Sequence, residues 1–367
     1  MNKFAIRLEK EDNVVIARHD LSKGLYIEEE DLTLLEDIPA GYKCATTDIK
    51  KGEPIRKYNT VIGYASRDIK KGEKVHNHND EFDARKVDYA FGADCHPVDF
   101  IPPEDRRTFM GIKRADGRVA TRNYIGILVC SNCAATAARK ISEYFTEERL
   151  TEYPNVDGVV PFITELGCGM EQSGEPLALL QRTIAGFIRN PNMGASILVS
   201  LGCERNNIDK LMDAQDLHET DLFKRMVIQE VGGTKEAIVK GIDMVKAMLP
   251  LVNDVHREPC SAEHLCVALE CGGSDGFSGL SANPALGKAM DILVRNGGTC
   301  IHSETTEVFG AEPILTRRAV SAEVGQKLVD RLNWWLVQTK GRDCQINGKV
   351  SPGNNAGGLA NVLEKSL

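Results

Sequence analysis

Four cysteines hold equivalent places in the chain. Cys133, Cys168, Cys203 and Cys271 each follow a short apolar run, and the last three have glycine beside them. Thiolates are soft ligands that suit transition metals or iron–sulfur clusters. Carboxylates stand near the same places: Glu204, Glu270, Asp275, Glu304 and Glu307. Cys130 and Cys133 make a Cys-x-x-Cys pair, but no second pair completes a zinc-ribbon set. His76 and His78 are two apart. On a strand that spacing turns both imidazoles to one side, toward one metal ion or anion. Two ordinary histidines at a solvated strand end is the plain alternative. Arg122 could hold a carboxylate in a bidentate pair, or form a surface salt bridge.

The elements that must position these groups are legible around Glu270-Cys271-Gly272-Gly273-Ser274-Asp275-Gly276-Phe277-Ser278-Gly279. An apolar run at 265–269 predicts a buried strand, and the spacing of Leu286, Met290, Leu293 and Val294 predicts a helix after it. The glycines permit positive φ or close approach of a ligand, and amides at a helix start suit an anion. The same strand–loop–helix logic recurs. A strand at 124–129 leads to Cys130 and Cys133, then a helix over 134–145. A strand at 156–163 leads to Gly167-Cys168-Gly169 and a helix over 175–188. A strand at 195–200 leads to Leu201-Gly202-Cys203-Glu204. A strand at 226–230 precedes a helix over 235–249, and a last strand runs over 298–303. Alternating βα units imply a Rossmann-like, mostly parallel sheet with helices on both faces. Its carboxyl edge gathers residues distant in sequence.

The first eighty residues differ. Asp20-Leu21-Ser22-Lys23-Gly24, Asp37-Ile38-Pro39-Ala40-Gly41, Asp48-Ile49-Lys50-Lys51-Gly52 and Asp68-Ile69-Lys70-Lys71-Gly72 repeat one turn pattern. Asp can close its own turn and Gly supplies the left-handed residue, so 1–80 reads as a small all-β module. Residues 81–107 are charged or proline-bearing and aperiodic, a linker that includes Asp94-Cys95-His96. Two α/β domains follow, 108–255 and 256–367.

A net charge of −8 argues against general nucleic-acid binding. No apolar run reaches the ~20 residues that span a bilayer. Residues 1–9 lack a signal-peptide core, so a cytoplasmic protein is expected. Eleven cysteines, an odd number without an export signal, argue against a disulfide framework. The chain has no Walker or Gly-x-Gly-x-x-Gly signature.

The Asp-Ile-x-x-Gly turns and Lys74-Val75-His76-Asn77-His78-Asn79 resemble the SAF module, a β-clip fold of sugar-acid and sialic-acid enzymes. Asp116-Gly117-Arg118-Val119-Ala120-Thr121-Arg122-Asn123, Leu201-Gly202-Cys203-Glu204, Glu270-Cys271-Gly272-Gly273-Ser274-Asp275, Ala282-Asn283-Pro284 and Ser351-Pro352-Gly353-Asn354 extend the likeness over nearly the whole chain. Together they resemble the altronate dehydratase and galactarate dehydratase family, with Val308-Phe309-Gly310-Ala311-Glu312 nearer the altronate branch. Thr164-Glu165-Leu166 departs from the His or Tyr that the family carries ahead of Gly167-Cys168.

The resemblance implies a hydro-lyase that converts a sugar acid to a 2-keto-3-deoxy acid. The cofactor expected is Fe(II), with Mn(II) or another divalent metal next and an iron–sulfur cluster last. Asp275 or Glu304 is expected as base, with Ser274 beside them. Arg122, Asn123, Gly272, Gly273 and Asn283 are expected to hold substrate. His76, His78, Cys133, Cys168, Cys203 and Cys271 are the expected metal ligands. The family continues well past Ser351-Pro352-Gly353-Asn354, so the expected partners are a sugar acid and either a second copy or a second polypeptide supplying a further C-terminal part. A sulfolactate sulfo-lyase and a non-catalytic sugar-acid-binding subunit are the alternative functions.

Overall fold

A computed structural model describes residues 4–82, 88–167, 169–343, 346 and 348–366. The chain divides into two units, Met1–Asp105 with Leu265–Leu367, and Arg106–His264. Cys168 lies outside the described residues.

The second unit is the α/β body. Its sheet is wholly parallel, in the order Gly158–Phe162, Tyr124–Val129, Met193–Ser200, Phe223–Val227. Alternation along the central strand sends Ile125, Ile127 and Val129 to one face and Leu128 and Cys130 to the other. The first face is covered by Ala135–Tyr144 and Thr234–Asn253, the second by Glu175–Ile188 and Ile208–Ala214. The last strand begins three residues before the expected 226, because its ladder with Ser196 to Ser200 ends at Val227. A separate antiparallel sheet pairs Thr108–Lys113 with Val119–Ala120 and with Glu258–Ser261.

The first unit opens with short antiparallel strands. Val14–Ala17 lies between Ala5–Ile6 and Lys43–Ala45, with Lys74–Val75 beyond; Thr60–Ala65 lies between Pro54–Lys57 and Asp80–Glu81. The four glycine turns work in pairs. Asp20 accepts from the Ala40 amide and Asp37 from the Lys23 amide, while Asp48 accepts from Lys71 and Asp68 from Lys51. Each aspartate thus caps the partner turn rather than its own. The bridges Leu21 to Ile38 and Ile49 to Ile69 join the same pairs. The repeat encodes two reciprocal clasps, each over its own apolar core. Gly24, Gly41, Gly52 and Gly72 all have φ between 82° and 89°, the left-handed region that the turns require.

The rest of this unit is built on the parallel strand pair Cys266–Leu269 and Thr299–His302. Helices Ala282–Arg295 and Ala322–Thr339 follow, and a short helix, Val362–Ser366, packs on the turn Thr305–Val308 and on the strand Thr60–Ala65. That last helix carries a buried carboxylate into the N-terminal module. Glu364 Oε2 lies 2.7 Å from Lys43 Nζ and Oε1 lies 2.8 Å from Lys57 Nζ. All three side chains are enclosed, Lys43 wholly so. Burial alone would raise the Glu364 carboxyl, but the two ammonium groups overcome that and hold its pKa at about 2. Asn361 fixes the same helix start, donating to Ile62 O at 2.9 Å and Asp80 Oδ2 at 3.3 Å.

Candidate active site

The glycine loop lies where the sequence predicts, between the carboxyl end of Cys266–Leu269 and the helix Ala282–Arg295. None of its four glycines takes positive φ. Gly276 is required for close packing: a Cβ there would sit 2.0 Å from Gly41 O. Gly279 lies against Tyr58, whereas Gly272 and Gly273 face open space. The expected placement of loop amides at the helix start is also corrected. A separate turn over 277–281 stands between, with the Leu280 and Ser281 amides donating to Phe277 O.

The loop borders a cleft of about 390 Å³. Cys271, Gly272, Gly273, Ser274, Asn283 and Glu304 all line it. Ser303 Oγ donates to Leu269 O at 2.5 Å, and the Cys271 amide donates to Glu304, so the two strand ends are tied across the cleft floor. The Cys271 thiol is 3.5 Å from Ser274 Oγ. Glu307 and Glu270 add carboxylates. Lys365, on the last helix, pairs with Glu307. Partial burial works against the Lys365 charge, yet Glu307, and to a smaller degree Cys271, outweigh it and raise its pKa. His302, Lys365 and Ser366 also line the cleft and were not singled out from sequence. Lys365 sits in an ordinary charged stretch with no motif.

Asp275 is absent from the cleft lining. Its Oδ1 accepts from the Phe277 amide at 2.9 Å and the Ser278 amide at 3.1 Å, closing the loop on itself. The loop is also braced from outside, by Asn354 Nδ2 to Ser274 O at 2.8 Å and Gly276 N to Gly357 O at 2.8 Å.

Arg122 and Asn123 belong to the second unit, at the amino end of Tyr124–Val129, the end opposite the ligand edge of a parallel sheet. Arg122 lies 3.5 Å from Asp157, an ordinary surface ion pair. Asn123 is fully enclosed. It donates to Asn155 O at 2.7 Å and Val252 O at 2.8 Å and accepts from Arg114 at 2.9 Å. With its amide saturated by protein, Asn123 is a structural residue, which corrects the substrate-binding expectation.

Among the described residues, the expected metal ligands do not assemble within either unit. Cys133 and Cys203 are exposed beyond the carboxyl ends of adjacent strands in the second unit, whereas Cys271 belongs to the first. Glu204 folds back on its own loop, accepting from the amides of Leu201 at 2.9 Å and Gly202 at 2.6 Å. His76 and His78 do not share a strand face. Strand Lys74–Val75 stops before them, and a turn closed by the Asn79 side chain on the His76 amide, at 2.9 Å, buries His76 and exposes His78. Burial, then Lys43, pushes the His76 pKa down to about 4. Among the described residues the one cluster of three donors is Glu36, Glu73 and His78, on the N-terminal module. Its carboxylates already face Lys74 and Arg67. Among the described residues, neither unit by itself gathers the expected ligands into one set.

Three family descriptions match in sequence along the chain. They are the altronate/galactarate dehydratase SAF domain over residues 3–82, the D-galactarate dehydratase/altronate hydrolase second domain over 111–253, and the D-galactarate/altronate dehydratase C-terminal domain over 262–367. The altronate dehydratase of Bacillus subtilis is 34% identical over 371 residues, covering 100% of this chain and 72% of that protein. The galactarate dehydratase (L-threo-forming) of Escherichia coli is 35% identical over 372 residues, 99% of this chain and 71% of that protein. The (2R)-sulfolactate sulfo-lyase subunit beta of Chromohalobacter salexigens is 29% identical over 264 residues, 71% of this chain and 63% of that protein. These matches run along the whole chain, and the chain belongs to the altronate/galactarate dehydratase family.

Proposed function

We propose that this protein is a cytoplasmic hydro-lyase that removes water from an altronate- or galactarate-like sugar acid to give a 2-keto-3-deoxy acid. The observation that carries this is the full-chain similarity to two dehydratases together with the cleft at Cys271, which brings a thiol, hydroxyl, amide and carboxylates to one place. The chemistry asks for a base at the carbon next to the carboxylate, a charge opposite the carboxylate as enediolate character develops, and a proton for the departing hydroxyl. Glu304 is the base in this reading, because it lines the cleft whereas Asp275 is spent on its own turn. Ser274 and Asn283 hold substrate hydroxyls. Dependence on Fe(II) is proposed from the family resemblance alone, and no step here passes through a metal. A partner, either a second copy of this chain or a second polypeptide, is part of the reading. Cys266, Ala268, Thr299 and Ile301 share one bare face of the strand pair, and parallel sheets are covered on both faces.

The test is an anaerobic assay for keto acid, with and without Fe(II), on a panel of aldonates and aldarates. Turnover of at least one, falling about 100-fold in Glu304→Gln, is expected. A folded, Fe(II)-supplied protein that turns over none of them, alone or with a co-expressed partner, overturns the reading. Release of sulfite from sulfolactate in the same assay assigns the sulfo-lyase reaction instead.

A further inference from the structure

The last described helix faces two ways within three residues. Glu364 enters the N-terminal module and takes up both oxygens between Lys43 and Lys57. Lys365, the next residue, lines the cleft beside Glu307 and Cys271. Ser366 then donates to Val362 O at 2.8 Å and to Glu307 O, closing the helix on the cleft wall. The attachment of Glu364 has further partners. Its Oε2 also accepts the Ala360 amide at 2.8 Å, and Lys43 Nζ also reaches Gly358 O at 3.0 Å. Five residues of helix are too few to hold their own shape in water, so the direction in which Lys365 points is set by what anchors the helix: Asn361, Ser366 and, next to it, the buried Glu364.

The charge balance in the cleft gives Lys365 its task. Among the described lining residues it is the single lysine or arginine, against Glu270, Glu304 and Glu307. A carboxylate entering such a site meets three like charges and needs a cation. An ammonium group has three donors, so Lys365 can keep Glu307 and accept a second anion.

We propose that Lys365 receives the carboxylate of the sugar acid, and that the buried Lys43–Glu364–Lys57 triad of the N-terminal module positions it. The substrate half of this rests on the dehydratase reading; the positioning half does not. Lys43, Lys57 and Glu364 are positioning residues, since none of them lines the cleft. The N-terminal module thereby has a part in the chemistry: it orients the cation of a site to which it contributes no lining side chain.

The exposed Cys271 thiol supplies a readout that needs no turnover. The full chain is alkylated with anionic iodoacetate and, separately, with neutral iodoacetamide, and the Cys271 peptide is followed by mass spectrometry. General loosening of the fold speeds or slows both reagents together; the ratio of the two rates reports the charge around the thiol. Lys365→Met should lower the iodoacetate to iodoacetamide ratio about five-fold, the effect of one unit charge a few ångströms away, and Lys365→Arg should retain it. Glu364→Gln and the milder Lys57→Met should lower the ratio about two- to five-fold although neither touches the thiol. Lys57→Met keeps a neutral Lys43–Glu364 pair and decides the matter if Glu364→Gln does not fold. An unchanged ratio in Lys365→Met overturns the whole proposal. A lowered ratio there with an unchanged ratio in folded Lys57→Met and Glu364→Gln overturns the positioning role. Galactarate or altronate should protect Cys271 in the wild type and not in Lys365→Met. Absence of protection in the wild type refutes the sugar-acid reading and leaves the positioning role to be judged on the ratios.

Discussion

Asp275 and Asn123 show how a polar side chain in a conspicuous motif can serve the fold. Asp275 sits among glycines and hydroxyls, yet its Oδ1 holds the Phe277 and Ser278 amides. An asparagine can accept the same bonds through its own Oδ1. Asp275→Asn should therefore keep turnover within about three-fold of wild type, whereas Asp275→Ala, which leaves both amides unpaired, should cost about 1–3 kcal/mol of loop stability and most of the activity. Equal and severe loss in both variants, measured in the keto-acid assay, would return Asp275 to the role of base. Asn123 teaches the same lesson from the other unit. Its neighbours in sequence look like a substrate grip, but its amide is saturated by Asn155, Val252 and Arg114.

Among the elements, the glycine loop and the clasps of the N-terminal module follow different rules. The clasp glycines are selected by positive φ, the loop glycines by space or by nothing local. Gly276→Ala drives a Cβ into the Gly41 carbonyl, a backbone contact that cannot swing aside, and should cost about 2–4 kcal/mol. Gly272→Ala meets no atom within 4 Å and has ordinary φ, so its stability should stay within about 0.5 kcal/mol of wild type. Thermal denaturation of the two variants checks the contrast; similar losses would mean that the loop is held by something other than the Gly41 contact. The pairing of turns was half legible. Four copies of one Asp-to-Gly pattern showed a repeat, but a repeat does not state that Asp48 reaches the turn of Asp68 and the reverse. That exchange requires the two turns to meet, which the strand pairing decides.

For the whole molecule, the first and last segments of the chain are bound through charge held out of water, and acid should report it. Glu364 has its pKa held at about 2, below its ordinary 4.5, so its contribution is complete above pH 4.5 and is lost as pH falls toward 2. His76 is held at about 4, below its ordinary 6.5, so its burial loses stability as pH falls from 6.5 to 4. Asp80 is raised to about 7, chiefly by burial, and loses stability in the opposite direction, as pH rises from 3.8 to 7. Between pH 6.5 and 4.5 the last two oppose, and stability of the first unit should stay nearly level before falling below pH 4.5. Asp80→Asn removes the opposition, so its stability should already fall from pH 6.5 downward. Denaturant titrations followed at Trp334 and Trp335 distinguish these profiles; parallel curves for wild type and Asp80→Asn would show that Asp80 does not titrate in this range.

Local pattern determined a good deal here. Short apolar runs followed by glycine gave the parallel α/β body. Turn chemistry gave the all-β module, and long shared strings gave the family. The place of the cleft was also legible, because strand–loop–helix order puts the Cys271 loop at a carboxyl edge. What sequence left open is which polar groups face it. Asp275 and Glu304 are alike as letters; only packing shows one closing a turn and the other lining a wall. Lys365 belongs to the cleft because Glu364, one residue earlier, is drawn into the interior by two lysines more than 300 positions away in the chain. Burial of charge depends on the surrounding shape and not on neighbours in sequence, and so only the tertiary structure could decide it.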